Sequence, residues 1–85
     1  MKLTVRYFAA LRERVGRADE VIDAPDSIGS VSELRSWIAE RGEPWASAFA
    51  DTRRVRVAVD QAMVGDQHAV HDGAEVAFFP PVTGG

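Results

Sequence analysis

The residues with the most distinctive chemistry stand at the end of the chain, where Gly84 and Gly85 close a proline-containing segment. Fully extended, residues 80–85 reach roughly 20 Å. Because glycine has no side chain, only backbone must pass when the tip enters a narrow pocket. An ATP-dependent enzyme could adenylate the open terminal carboxylate, which would then be an electrophile for a sulfur or nitrogen nucleophile. These residues therefore indicate a covalent attachment point.

Two terminal glycines alone are equally consistent with a frayed chain end. The residues before them favour the functional interpretation. Phe78 and Phe79 end a predicted core strand, and Pro80 and Pro81 stop it because neither proline can donate to a β-ladder. The tip is thereby anchored to the sheet through a short, stiff base.

Other groups that could carry chemistry are scarce. The chain has no cysteine, which excludes disulfides, thiolate nucleophiles and cysteine-based metal sites. His68 and His71 lie in a predicted loop, where solvated side chains are more common than a metal site. No serine has the partners of a catalytic triad, and no glycine-rich phosphate loop is present. We interpret the basic run Arg53, Arg54 and Arg56 as the solvent-exposed face of a strand.

Composition restricts the class of protein. A length of 85 residues with 46% hydrophobic residues is typical of one small folded domain. The formal net charge of -3 gives no electrostatic reason to expect a nucleic acid partner. No apolar run approaches the roughly 20 residues that cross a bilayer, and the N-terminus lacks the apolar core of a signal peptide. We expect a soluble, cytoplasmic protein.

The first half of the chain begins with a predicted strand and a short helix. Residues 2–8 alternate, so that Leu3, Val5 and Tyr7 share one face of a half-buried strand. Residues 9–15 predict a short helix, which the glycine that follows ends in the left-handed conformation.

The main helix begins at Ser30, where Glu33 three residues later completes a capping box. Val31, Leu34 and Ile38 recur at helical spacing and form one apolar stripe. A glycine at position 42 is expected to end this helix.

The remaining elements are strands, predicted over residues 20–23, 55–59, 62–64 and 75–79. Asp60-Gln61 and Asp72-Gly73 are the turns between them. This order predicts an α+β domain over residues 1–79, with about five strands packed on one main helix, followed by an extended, flexible tail over residues 80–85.

Two aromatic residues are candidates for a docking patch. By strand parity, Phe8 and Phe79 point away from the face that holds Val76 and Phe78. Arg12, four residues after Phe8, is expected beside them. The alternative is that the short helix or the loops cover both phenylalanines.

Residues 75–85 read EVAFFPPVTGG after an Asp72-Gly73 turn, and residues 5–13 read VRYFAALRE. Both segments resemble the small, sulfur-carrier subunits of molybdopterin synthase. The resemblance covers essentially the whole chain, although residues 19–51 are less specific. It implies the ubiquitin-like β-grasp fold, with a mixed sheet.

The resemblance also implies a chemistry for the tail. A ubiquitin-activating-type adenylyltransferase uses ATP to adenylate the Gly85 carboxylate, and a sulfur donor protein converts it to a thiocarboxylate. The tail then enters the active site of the large catalytic subunit, where its sulfur attacks the cyclic pyranopterin monophosphate precursor and dithiolene formation follows. The chain itself is then a non-catalytic subunit with no bound cofactor or metal. Gly84 gives Gly85 room, and the residues expected to contact the large subunit are Phe8, Arg12, Phe79, Pro80, Pro81, Val82 and Thr83.

The sequence is also consistent with three other interpretations. A related β-grasp carrier could feed thiazole or another sulfur pathway. A ubiquitin-like modifier would form isopeptide bonds to lysines instead of carrying sulfur. A plain binding module would have a chemically inert tail.

Overall fold

Alternating polar and apolar residues build a mixed five-stranded sheet, and helices cover one of its faces. The computed structural model describes residues 1–50 and 55–80. Its elements are β1 (Lys2–Tyr7), α1 (Ala9–Val15), β2 (Asp19–Asp23), α2 (Val31–Ala39), α3 (Trp45–Ala48), β3 (Arg56–Val59), β4 (Ala62–Val64) and β5 (Glu75–Phe79). The strands lie in the order β2-β1-β5-β3-β4. The pair β1–β5 is parallel and the other pairs are antiparallel, which confirms the predicted α+β class and strand number.

The inner face of the sheet forms the core, as the strand periodicity predicts. Along β1, every second residue is buried, namely Leu3, Val5 and Tyr7. Val76 and Phe78 of β5 are fully buried on the same face. We call the face that carries these residues the inner face of the sheet, and the opposite face the outer face.

Helix α2 packs its apolar stripe onto the inner face. Val31, Leu34 and Ile38 are each 0% exposed. The Glu33 N–H donates to the Ser30 hydroxyl oxygen at 3.2 Å, which confirms the predicted cap. The Ser30 hydroxyl also donates to the Glu33 carboxylate at 3.2 Å, so the second contact between the two residues joins their side chains.

Some element ends differ from those predicted. Helix α2 ends at Ala39, so the prediction that position 42 ends it is wrong; Gly42 takes a φ of 96° in the turn that follows. β1 ends at Tyr7 because Phe8 is the N-cap of α1, and its carbonyl accepts from the Leu11 N–H at 3.1 Å. At both ends the regular hydrogen-bond pattern gives way to a turn. The types of the residues there do not fix the position of that change.

Two predicted turns and caps are confirmed. Gly16 ends α1 in the left-handed region, with a φ of 85°. Asp60 and Gln61, with φ values of 49° and 71°, join β3 to β4 in a two-residue hairpin. Positive φ at both positions matches the right-handed twist of the strands.

Within residues 1–50 and 55–80, no helix is both long enough and apolar enough to cross a bilayer.

Candidate functional site at the base of the tail

The base of the tail is built from the end of β5 and the start of α1. The rings of Phe8 and Phe79 stack with centroids 4.6 Å apart and an interplanar angle of 9°. The Phe8 N–H donates to the Phe78 carbonyl at 3.1 Å, which fixes the two segments side by side. Both stacked residues are half-buried, as is Pro80 after them. Neither phenylalanine belongs to the core, which agrees with the parity prediction.

Arg6 completes this cluster, and the sequence did not single it out. Its guanidinium lies over the Phe8 ring, 5.2 Å from the centroid. Its Nη1 is also 3.7 Å from the Glu75 Oε1 on the neighbouring strand. We call Arg6, Phe8 and Phe79 the tail-base patch.

Arg12 lies one turn along α1 from Phe8. Its backbone N–H donates to the Phe8 carbonyl at 3.4 Å, and the residue is exposed. Within the described part of the chain, the guanidinium above the Phe8 ring is that of Arg6. The place predicted for the Arg12 side chain beside the aromatic pair stays a prediction.

The outer face next to the tail-base patch has a floor of small side chains. Arg6, Ala77, Ala58 and Met63 form one row across four strands. Ala58 and Ala77 are 5% and 6% exposed, although neither belongs to the core cluster on the inner face. Neighbouring side chains therefore shield the alanines, and Met63 at the end of the row remains 56% exposed. The result is a shallow apolar surface bounded by arginines.

An ionic network lies behind the patch, at the same end of the sheet. The Tyr7 hydroxyl donates to Glu20 Oε2 at 2.8 Å. Arg41 donates to both carboxylate oxygens of Glu20, at 2.9 and 3.2 Å, and stacks over Trp45 at 4.1 Å. Burial alone would raise the pKa of Glu20, but the Arg41 and Tyr7 hydrogen bonds outweigh it and lower the pKa. Burial, together with the Glu20 carboxylate, raises the pKa of Tyr7.

At the opposite end of the sheet, the His71 side chain forms a hydrogen bond with Asp60. His71 Nε2 lies 3.0 Å from Asp60 Oδ2, and Asp60 Oδ1 accepts the Glu75 N–H at 3.0 Å. In the part of the chain that the structure describes, His, Asp and Glu side chains form no group of three that could hold a metal ion. His68 is exposed in the loop before it.

The other residues predicted for the site lie outside the described residues. These are Pro81, Val82, Thr83, Gly84 and Gly85; Arg53 and Arg54 of the basic run lie outside them as well. What the structure brings together is the anchor of the tail: Phe8, Phe79 and Pro80, with Arg6 added.

Comparisons with known proteins agree over nearly the whole chain. The ThiS family model matches residues 5–85. Two proteins named molybdopterin synthase sulfur carrier subunit, from Haemophilus influenzae and Escherichia coli, are 37% and 40% identical over 83 residues. Each alignment covers 98% of this chain and 99% of the relative.

Solved structures share the fold. A putative molybdopterin converting factor, subunit 1, from Pyrococcus furiosus is 28% identical with a TM-score of 0.77, over 96% of this chain and 99% of that one. A complex of subunits 1 and 2 of the molybdopterin-converting factor from Helicobacter pylori contains a chain 21% identical with a TM-score of 0.66, with full coverage of both chains, which shows the fold alone. The protein has the ubiquitin-like β-grasp fold and belongs to the ThiS family.

Proposed function

We propose that this protein is the sulfur carrier of a molybdopterin synthase, and that the carboxyl group of Gly85 bears the sulfur. The observation that carries the proposal is its 37–40% identity, over 98% of the chain, to two proteins named as that subunit. The structure supports it at the base of the tail, where Phe8 and Phe79 anchor the segment that ends in Gly84-Gly85.

A free carboxylate is a poor electrophile, so the Gly85 carboxyl group must first be activated. The Gly85 carboxylate attacks the α-phosphate of ATP on a ubiquitin-activating-type adenylyltransferase, which forms the acyl adenylate and releases pyrophosphate. A sulfur donor protein then delivers sulfide-level sulfur, which displaces AMP and leaves a thiocarboxylate. Sulfur is more nucleophilic than oxygen, and a thiocarboxylate remains ionised at neutral pH. Activation and delivery are thus separate steps on separate partners.

The large synthase subunit supplies the active site in this proposal. The tail enters that site, and the thiocarboxylate sulfur attacks a carbon of the cyclic pyranopterin monophosphate. Hydrolysis of the acyl–sulfur bond then leaves the sulfur on the pterin and frees the Gly85 carboxylate; two such deliveries make the dithiolene. This chain therefore acts as a protein-borne substrate and has no catalytic centre of its own. The Helicobacter pylori complex of subunits 1 and 2 is consistent with such a pairing.

The tail-base patch is the proposed centre of docking. Half-buried aromatic residues and arginines are the residue types that dominate binding energy at protein interfaces. Phe8 and Phe79 present a preformed stacked pair beside the apolar floor of Ala58 and Ala77, so that docking orders few side chains. Arg12 and Pro80, and Pro81, Val82 and Thr83 beyond them, extend this contact along the tail.

Deletion of Gly85 tests the proposal in a cell that depends on this gene for molybdoenzyme activity. We expect the shortened chain to accumulate to the level of the full chain, because Gly85 lies outside the predicted domain of residues 1–79, and to restore no activity. Restored activity would contradict the sulfur-carrier role. Addition of thiazole to cells that lack this gene tests the rival pathway. If thiazole alone restores their growth, the chain serves thiazole synthesis.

A further inference from the structure

The positive charges near the tail are all guanidinium groups. Of the ten lysine and arginine residues in the chain, Lys2 is the single lysine. Arginine keeps its proton at any physiological pH, so it has no lone pair with which to attack an acyl group. A lysine exchanges its proton at mildly alkaline pH and is a nitrogen nucleophile.

Three arginines surround the base of the tail. Arg56 is the cross-strand partner of Phe79, the last residue of β5. The Arg6 guanidinium lies 5.2 Å from the Phe8 centroid, and the Arg12 N–H bonds the Phe8 carbonyl at 3.4 Å. A tail that begins at Pro80 reaches each of these positions easily, since six residues span up to roughly 20 Å.

Lys2 stands at the other end of the sheet. Its carbonyl accepts from the Gly73 N–H at 2.7 Å, and Gly73 precedes Phe79 by six residues. Six residues of extended chain measure about 20 Å. Because residues 80–85 span at most roughly 20 Å, the Gly85 carboxyl carbon can approach Lys2 only at the limit of that span.

The ammonium group of Met1 lies at that same far end and is held by acceptors. It is 2.7 Å from the Ala24 carbonyl, 2.9 Å from Asp26 Oδ1 and 3.3 Å from Asp23 Oδ1. The hydrogen bond to Asp26 raises the pKa of this group, which favours its protonated, non-nucleophilic form.

We infer that this protein keeps primary amines away from its own activated C-terminus, so that the acyl group survives until a sulfur nucleophile takes it. The inference rests on the proposed function. The reaction avoided is aminolysis: the lone pair of a lysine nitrogen attacks the acyl carbon, AMP leaves with its bonding pair, the nitrogen loses a proton, and an amide remains. That amide is a dead end for a carrier, whereas it is the product for a modifier.

The test uses a C-terminal thioester of the full chain, made by intein cleavage, so that no activating enzyme is needed. The double variant Arg12→Lys, Arg56→Lys places two amines beside the tail without a change in charge; both residues are exposed. Ser27→Lys is the matched control, because Ser27 is exposed at the far end, next to Asp26. Each protein is held at mildly alkaline pH, and intact mass reports free acid, a product one water lighter, and covalent dimers.

We expect the double variant to form amide at least about fivefold faster than the wild type, because a nearby nucleophile has a high effective concentration. Ser27→Lys should stay within about twofold of the wild type. Equal rates in the double variant and the wild type would overturn the inference, as would rapid amide formation on Lys2 of the wild type. Because the thioester is made without partners, these outcomes do not depend on the sulfur-carrier proposal, which the Gly85 deletion tests separately.

Discussion

The rings of Phe8 and Phe79 stack 4.6 Å apart and nearly parallel, at an angle of 9°. Phe8 is the N-cap of α1 and Phe79 is the last residue of β5, so that this one contact joins the first helix to the residue before the tail. Because the parallel pairing of β1 and β5 brings both strand ends to the same side of the molecule, 71 residues of sequence separation become direct contact. The stack therefore fixes the position of the last strand residue before the predicted tail.

Phe79→Ala should weaken binding to the large synthase subunit by at least about tenfold, or about 1.4 kcal/mol, since aromatic anchors dominate interface energies. The fold should survive, because Phe79 is outside the buried core. Isothermal titration against the purified large subunit measures the change. The control is Val21→Ala, which removes a 69% exposed apolar side chain from the edge of the same face. Equal affinity losses for the two variants would contradict a docking role for the patch.

Leu34→Ala should lower the free energy of unfolding by about 2–5 kcal/mol, because it leaves a cavity where α2 meets the sheet. Leu34 is 0% exposed and belongs to the central cluster of the core. Urea unfolding followed by circular dichroism gives the value. Ser36→Ala, at an exposed position of the same helix, should change it by less than about 0.5 kcal/mol. A similar loss for both variants would mean that α2 is not packed as described.

Arg41→Met should raise the pKa of Glu20 and lower stability by about 1–3 kcal/mol at neutral pH, because a mostly buried carboxylate loses its charged partner. The network lowers the Glu20 pKa in the folded state. Its contribution is therefore present above the ordinary value of 4.5 and is lost as pH falls through the lowered pKa. Carboxyl titration by NMR follows Glu20 directly.

Arg17→Met is the control for that network. Arg17 approaches Glu20 Oε1 at 3.5 Å, but its side chain is 51% exposed. Solvent screens such a pair, so the expected stability loss is less than about 1 kcal/mol. If Arg17 and Arg41 contribute equally, the stacked geometry over Trp45 adds nothing to the bond with Glu20.

His71→Gln should reduce stability only where the Asp60–His71 pair is fully charged. Bonds to the Asp72 carbonyl and to the Asp60 carboxylate raise the pKa of His71 above 6.5. Bonds from Glu75 N–H and His71 lower the pKa of Asp60 below 3.8. The pair's contribution is thus complete between these two ordinary values; it fades as pH rises through the His71 pKa or falls through the Asp60 pKa.

Melting temperatures of wild type and His71→Gln, recorded from about pH 3 to about pH 9, check this dependence. The gap between them should be widest near about pH 5 and should close towards both extremes. His68→Gln, at an exposed histidine in the same loop, is the control for the substitution itself. A gap that widens above neutral pH would have the wrong sign and contradict the pairing.

The sequence predicted most of the fold because its strongest signals are local. Period-two alternation placed Leu3, Val5 and Tyr7 in the core, and helical spacing placed Val31 and its neighbours there. The same parity put Phe8 and Phe79 on the other face. These inferences require only that one side of each element is apolar.

The contact of Arg6 with Phe8 was within reach of the same parity, because Arg6 precedes Phe8 by two residues and lies on the same face. The ionic pairs at the two ends of the sheet were not predictable in that way. Glu20 and Arg41 are 21 residues apart in sequence. Asp60 and His71 are 11 residues apart and lie in two different loops. Such pairs depend on strand order and register, which follow from the whole packed sheet and not from any one segment.

The central claim is that Gly85 carries sulfur, and the mass of the C-terminal peptide tests it most directly. The chain is produced together with its adenylyltransferase and sulfur donor, purified without reductant, and analysed intact and after proteolysis. We predict a peptide ending in Gly84-Gly85 that is heavier by the difference between sulfur and oxygen, about 16 Da. Unmodified Gly85 in the presence of both active partners, or a Gly85 linked to lysine of another protein, would contradict it.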